Sequence, residues 1–435
     1  MKAVSYRNVA LGRGFLKDHE DLNRRVTIPA VYDRFFETNR ITAVTRNWPE
    51  NADKTVHKFW DSDVAKWMES AAYELAKEPD EALEARVEEL IDGILKYQLP
   101  DGYFNSCYDT ETRFQSRDNH ELYCAGHYME AAVAYYEATG RDRFLKAMCR
   151  YADFIDDFFR VRNAAPFLTP GHEEIELALI RLSRATGNRR YLDLAGWFLK
   201  TRGANDVDTP VRDFLSRNYQ QDNAPADEIR EATGHAVRAC YLYAAMADYA
   251  GETGDEALQE ACNAVFWDIV RRKLYVTGGI GSAYEGESFT IPYDLPNETA
   301  YAETCAAIAL FFFAHKMLLL TDDAAYADVM ETCLYNGILS GLSKTGDEFF
   351  YVNPLRLDRK FENRYTALSA RFPKRPLRHR VNVFNCSCCP PNLTRLFASI
   401  GGYIFGADEK TVYVNLFDNA AYSDGKRQVL VQMRT

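Results

Sequence analysis

Gly171-His172-Glu173-Glu174-Ile175-Glu176-Leu177-Ala178-Leu179-Ile180-Arg181-Leu182-Ser183-Arg184-Ala185-Thr186-Gly187 reads as one apolar helix that opens on Gly-His and closes on Thr-Gly. Ile175, Leu177, Leu179, Ile180 and Leu182 make it apolar on most sides, and Gly187 stands where a helix end takes a left-handed residue. A second helix follows, Tyr191 to Leu199. The unit recurs along the chain. Gly126-His127 opens a helix ending at Thr139-Gly140, with a partner containing Phe144, Leu145, Met148, Tyr151 and Phe154. Gly234-His235 opens another, ending at Thr253-Gly254 and followed by Glu256 to Ile269. A fourth runs from Glu303 to Leu320, turns at Thr321-Asp322-Asp323 and continues from Tyr326 to Leu339.

Helix pairs repeating roughly every 45 to 70 residues stack as an open solenoid or close into a ring. Adding Ser62–Ala76, Glu81–Tyr97 and a last helix after Pro391 brings the count to about six pairs. Six pairs close an all-α (α/α)6 barrel, the expected fold. The first helix of each pair is the more apolar, which suits an inner ring covered on both sides. Parallel inner helices place all their N-termini at one end, so His127, His172, His235 and Glu303 are expected around one cavity mouth. After Ile404 the pattern changes: 411–417 alternates, and a turn at Gly425-Lys426 leads into Gln428 to Met433. This reads as a β-hairpin, too small to be stable alone. The expected layout is an extended segment over 1–13, the barrel over 14–404, and the start of a truncated β-rich domain over 405–435.

The 435 residues are 47% hydrophobic and 26% charged, an ordinary globular composition. A net charge of −11 argues against a nucleic-acid partner. The longest apolar run, Ala306 to Leu320, is broken by His315 and Lys316, so no membrane partner is expected. Met1 to Phe15 lacks a signal-peptide pattern, and the 10 cysteines do not form a dense framework; a reducing, cytoplasmic setting is expected.

Chemistry concentrates in Glu303-Thr304-Cys305 and Cys386-Ser387-Cys388-Cys389-Pro390-Pro391-Asn392. Thiolates and a carboxylate are ligands zinc prefers. Residues two apart diverge by about 200° within a helix, so Glu303 and Cys305 can share an ion only at a helix start, with Thr304 as the expected cap. Pro390-Pro391 likewise suits a first helical turn, where the helix dipole favours anions. Reduced loop cysteines or a vicinal disulfide are the plainer alternatives. Glu285 and Glu287, in a glycine-flanked loop, are candidate general acids or simply solvated charges.

These two runs resemble glycoside hydrolase family 127, the β-L-arabinofuranosidases. So do Phe59-Trp60-Asp61-Ser62-Asp63-Val64, Leu99-Pro100-Asp101-Gly102-Tyr103 and Pro170-Gly171-His172. The likeness runs in order from about Gly12 to Gly402. It implies an (α/α)6 barrel, a bound Zn2+, and retaining, exo-acting hydrolysis of terminal β-L-arabinofuranose from an arabinoside. It implies Glu303, Cys305, Cys388 and Cys389 as zinc ligands, Cys388 as nucleophile and Glu287 as acid/base. His127, His235 and Tyr351 would hold the sugar, with His172 a weaker candidate; Cys386 is no ligand in this picture. Zinc would deprotonate a thiol whose free pKa is near 8.5. Family members continue into β-sandwich domains, whereas this chain stops at Thr435. Competing readings are the same machinery on another furanose-like sugar, a sugar epimerase or isomerase, and a non-catalytic zinc-stabilised sugar-binding barrel. A homodimer is the assembly to test.

Overall fold

The computed structural model describes residues 1–50, 53–204, 217–356, 379–382 and 386–435. Among them, six inner helices follow one another round a ring: Trp60–Lys77, Glu121–Thr139, Ile175–Thr186, Ala236–Thr253, Thr304–Thr321 and Cys389–Ala398. Each packs on the next, and the last returns to the first, so the repeat closes as a barrel instead of running on as a solenoid. Glu81–Tyr97, Arg143–Asp156, Arg189–Thr201, Glu256–Arg272 and Ala325–Thr332 lie outside, each against its preceding inner helix. The sixth outer helix comes from the other end of the chain. Ile28–Glu37 packs on Cys389–Ala398, so the N-terminal segment completes the pair that the sequence leaves single.

Periodicity explains which helix goes where. Arg143–Asp156 buries a broad stripe that includes Phe144, Leu145, Met148, Tyr151, Phe154 and Ile155 and turns Lys146 and Arg150 outward, as an outer helix must. Thr304–Thr321 is apolar all round; by length and composition it could cross a membrane, yet 72% of it is buried inside this barrel. The expected C-caps hold: Gly140, Gly187 and Gly254 are left-handed at φ 73°, 72° and 73°.

The Gly-His pairs do not share one phase. The helix containing Gly126-His127 begins at Glu121, five residues before Gly126, whereas Gly171-His172 precedes its helix and His235 is an N-cap. Gly126 is needed for packing instead: a Cβ there would lie 2.8 Å from Cγ of Glu174, the N-cap of the neighbouring inner helix.

Among the described residues, six short strands gather both chain ends: β1 (Lys2–Ala3), β2 (Val9–Leu11), β3 (Phe405–Ala407), β4 (Val412–Val414), β5 (Ala420–Asp424) and β6 (Val429–Met433). They form two antiparallel sheets, β1-β3-β4 and β2-β5-β6. The expected single hairpin is therefore corrected. β4 turns back on β3, and β6 pairs with β5, a strand whose small Ala420 and Ala421 and polar Ser423 and Asp424 do not stand out in sequence.

Candidate active site

All six inner helices point their N-termini at one open cleft of about 150 Å³. Ser62 and Asp63 come from the first, His120 and Tyr123 from the second, and His172 from just before the third. His235 and Arg238 come from the fourth, Glu303 and Cys305 from the fifth, and Cys386 and Cys388 from the segment entering the sixth. Aligned helix N-termini carry partial positive charge, which favours thiolates and carboxylates there. The volume suits a single sugar ring better than a length of polymer.

Glu303, not Thr304, is the N-cap of its helix; Thr304 is drawn aside because its hydroxyl donates to the Phe350 carbonyl at 2.8 Å. The cap position frees the Glu303 carboxylate to face the same point as Cys305. Cys388 caps the helix from Cys389, with Pro390 and Pro391 in its first turn. Arg40, 1% exposed, holds this approach in place by bonding Asp63 at 2.9 Å and Ser387 Oγ at 3.1 Å.

The ligand atoms of Glu303, Cys305, Cys388 and Cys389 lie within 4.8 Å of one another. Cys388 Sγ is 3.2 Å from Glu303 Oε1, Cys305 Sγ is 3.3 Å from Cys389 Sγ, and the Cys388 and Cys389 sulfurs are 3.8 Å apart. Four ligands about 2.3 Å from a central ion stand ~3.8 Å apart, so these spacings suit a tetrahedral cation. All ten cysteines are free thiols, which removes the vicinal disulfide. Glu303 Oε2 is buried with no hydrogen-bond partner among the described residues. Burial and the neighbouring Cys388 and Glu287 push the Glu303 carboxyl well above its usual range. Burial also works against ionising Cys305, but the hydrogen bonds it shares with Cys388 and Cys389 outweigh it and bring that thiol to about 7. Such a group of acids is costly to bury without a cation, and the donor set is one a soft divalent metal accepts.

Glu287 faces this cluster from the loop. His235 Nε2 is 3.0 Å from Glu287 Oε2, and the ligand atoms of His235, Glu287 and Glu303 also lie within 4.8 Å of each other. The His235 ring accepts the Val237 N–H at Nδ1 (3.2 Å), so the neutral ring carries its proton on Nε2 and donates it to Glu287. Burial holds the His235 pKa below its ordinary value, against the pull of Glu287. Glu287 itself sits at φ 53°, just after Gly286 at φ 68°. The paired left-handed residues turn the chain sharply and aim the carboxylate into the cleft.

Tyr351 is also present: its hydroxyl lies 3.5 Å from Cys388 Sγ and 3.6 Å from Cys386 Sγ. Cys386 lines the cleft beside the four-atom cluster without joining it. His172 is tilted by 40° against Tyr123, ring centroids 4.0 Å apart, and lies 5.9 Å from the His235 ring. Burial, then the Arg238 charge, keeps the His172 pKa well below its usual value.

His127 does not line the cleft. It is fully buried behind Tyr123, whose ring centroid is 4.5 Å away, with Nδ1 3.1 Å from a Glu174 carboxylate oxygen. Because its helix starts at Glu121, the histidine lies nearly two turns down the barrel. In its stead the cleft contains Phe59, His120, Tyr123 and Tyr219, which sequence reasoning did not single out. His120 carried one usable signal: it immediately precedes the true start of an inner helix, as His235 does.

Residues 8–402 match the family profile described as β-L-arabinofuranosidase, GH127 catalytic domain. A curated relative, the non-reducing end β-L-arabinofuranosidase of Bifidobacterium longum subsp. longum, is 39% identical over 392 residues. That match covers 84% of this chain, which spans only 59% of the relative's length. A crystal structure of a GH127 β-L-arabinofuranosidase from Geobacillus stearothermophilus T6 superposes with TM-score 0.88 at 40% identity, covering 95% of this chain and 68% of that one. A GH127 β-arabinofuranosidase structure gives TM-score 0.87 at 34% identity, covering 100% and 67%. A cellobiose 2-epimerase from Bacillus thermoamylovorans B4167, 12% identical with TM-score 0.50 over 85% of this chain and 98% of its own, shares the helical fold alone.

Proposed function

The chain belongs to the glycoside hydrolase family 127 β-L-arabinofuranosidase catalytic-domain family, and on that basis we propose that it is a retaining, exo-acting glycoside hydrolase releasing terminal β-L-arabinofuranose. The observation that carries this reading is the meeting of the Glu303-Cys305-Cys388-Cys389 cluster and the His235–Glu287 pair in one cleft. Glu303, Cys305, Cys388 and Cys389 would hold a zinc ion. When bound, zinc would keep the Cys388 sulfur deprotonated and neutralise the buried acids.

Retention requires two displacements on the anomeric carbon. In the first, the Cys388 sulfur lone pair forms the C–S bond as the C–O bond to the aglycone breaks. Glu287 gives its proton to the departing oxygen. In the second, the Glu287 carboxylate takes a proton from water, whose oxygen attacks the same carbon and expels the Cys388 sulfur. His235 Nε2–H steadies the carboxylate oxygen that does not carry the transferred proton. Tyr351 and His172 would contact sugar hydroxyls, the histidine uncharged, and His235, whose ring nitrogens meet Val237 and Glu287, would act on the sugar through Glu287. His127 would act only through Tyr123.

Proton NMR of the first-formed product from an aryl β-L-arabinofuranoside tests this reading. The β-anomer appearing before mutarotation is expected; the α-anomer appearing first would exclude the double displacement. A panel of other aryl furanosides separates the arabinose specificity from the same machinery acting on a different ring.

A further inference from the structure

The helix bearing Cys389 carries two more buried polar residues on the same face, Asn392 and Arg395, which the chemistry above does not use. They follow Cys389 at successive three-residue steps, so the stripe runs from the cleft down into the barrel. Asn392 Nδ2 donates to Cys305 Sγ at 3.1 Å. Its Oδ1 accepts from Arg395 Nε at 2.8 Å and from the Tyr241 hydroxyl at 3.4 Å. Turning the amide over would set Nδ2 against the guanidinium and Oδ1 against the sulfur, so the network allows one orientation. Arg395 is fixed in turn by Glu69 at 3.1 Å and by Tyr241 at 2.9 Å. Asn392 is 0% and Arg395 7% exposed, so no water can replace these bonds cheaply.

We propose that Asn392, locked by Arg395, is a positioning residue for the metal centre, its amide N–H fixing the direction and easing the charge of the Cys305 sulfur. The proposal rests on the metal reading of the cluster. An amide N–H can only donate, so Asn392 meets the sulfur as an acceptor, and it would go on donating, more strongly, to a Cys305 thiolate holding a cation. Outer partners of this kind change metal affinity by about 10- to 100-fold when removed.

Competition for zinc against a chromogenic chelator, and the sulfur-to-metal charge-transfer band of the cobalt(II)-loaded protein, test it in the full chain. Asn392→Ala is expected to weaken zinc about 10- to 100-fold and move the cobalt band to longer wavelength, because an unbonded thiolate gives up its electrons more readily. Asn392→Asp keeps the shape but turns an oxygen toward the sulfur, and should weaken zinc at least as much; it also serves if the alanine variant does not fold. Zinc affinity within twofold of wild type in a folded variant overturns the proposal. So does weakened zinc with an unmoved cobalt band, which would mean only a loosened helix. A wild-type protein that takes up neither metal instead overturns the metal reading itself, and this proposal with it.

Discussion

Glu287 owes its aim to backbone geometry that few side chains tolerate, and His235 owes its tautomer to a single backbone N–H. Neither is visible in composition, though both residues stand in motifs the sequence offers. Two outcomes are expected at this scale. Cys388→Ser should lower kcat on aryl arabinofuranosides by at least about 10³-fold, since a serine hydroxyl without a strong base is a poor nucleophile. Steady-state kinetics check this, and rates near wild type would exclude the sulfur. Glu287→Ala should cost about 10²- to 10⁴-fold on substrates with poor leaving groups and far less on nitrophenyl arabinosides. An equal loss on both would remove Glu287 from acid catalysis.

Helix ends, more than helix middles, decide what this protein can do. Thr-Gly at 139–140, 186–187 and 253–254 marked three inner helices correctly from sequence, because a left-handed cap is a local requirement. Starts were harder. Gly126-His127 resembled the start at Gly234-His235, yet its glycine serves close packing on Glu174 instead of a cap. That error carried His127 to the cleft on paper and left His120 and Tyr123 unread. Gly140→Ala, with nothing within 4 Å to clash, should cost about 1 kcal/mol of stability through strain alone, with kinetics unchanged. Urea unfolding measures the first and the aryl assay the second.

The assembled barrel has two mouths. Opposite the cleft, a chamber of about 570 Å³ is lined by the C-terminal ends of inner helices, including Asp248, His315 and Lys316. Burial, then the Lys316 charge, holds His315 at about 3. Asp248 falls to about 2, because Lys316 and Arg184 overcome the cost of burying it. Both folded-state values lie below the unfolded ones, so both groups bind fewer protons when folded, and stability must fall with acid. The His315 contribution is complete above pH 6.5 and is lost progressively toward pH 3; that of Asp248 is lost between about 3.8 and 2. Denaturant unfolding across pH 7 to 5 should show this slope, and His315→Gln should flatten it by up to one proton. If the slope is the same in the variant, His315 is not buried neutral. Chelation should act at the same scale: if zinc links Glu303 to the Cys388–Cys389 segment, its removal should lower the melting temperature and restoring it should recover it. A melting temperature indifferent to chelator would separate the cluster from stability.

The sequence by itself determined the helix-pair repeat and the all-α class, and it marked Glu303, Cys305, Cys388, Cys389 and the loop residue Glu287 as candidates, because each stands in a spacing or a few adjacent residue types. Only the tertiary structure decided that the repeat closes, since closure needs Cys389–Ala398 to return to Trp60–Lys77, with Ile28–Glu37 as its outer partner, across the length of the chain. It alone separated His172 and His235, which face the cleft, from His127, which does not. It also placed Arg40 and the Asn392–Arg395 relay, each joining residues far apart in sequence. Local patterns specify helices and their caps because those forces act within a few residues. Which polar side chains converge depends on the rotation of each helix within the ring, and packing sets that against all the others at once.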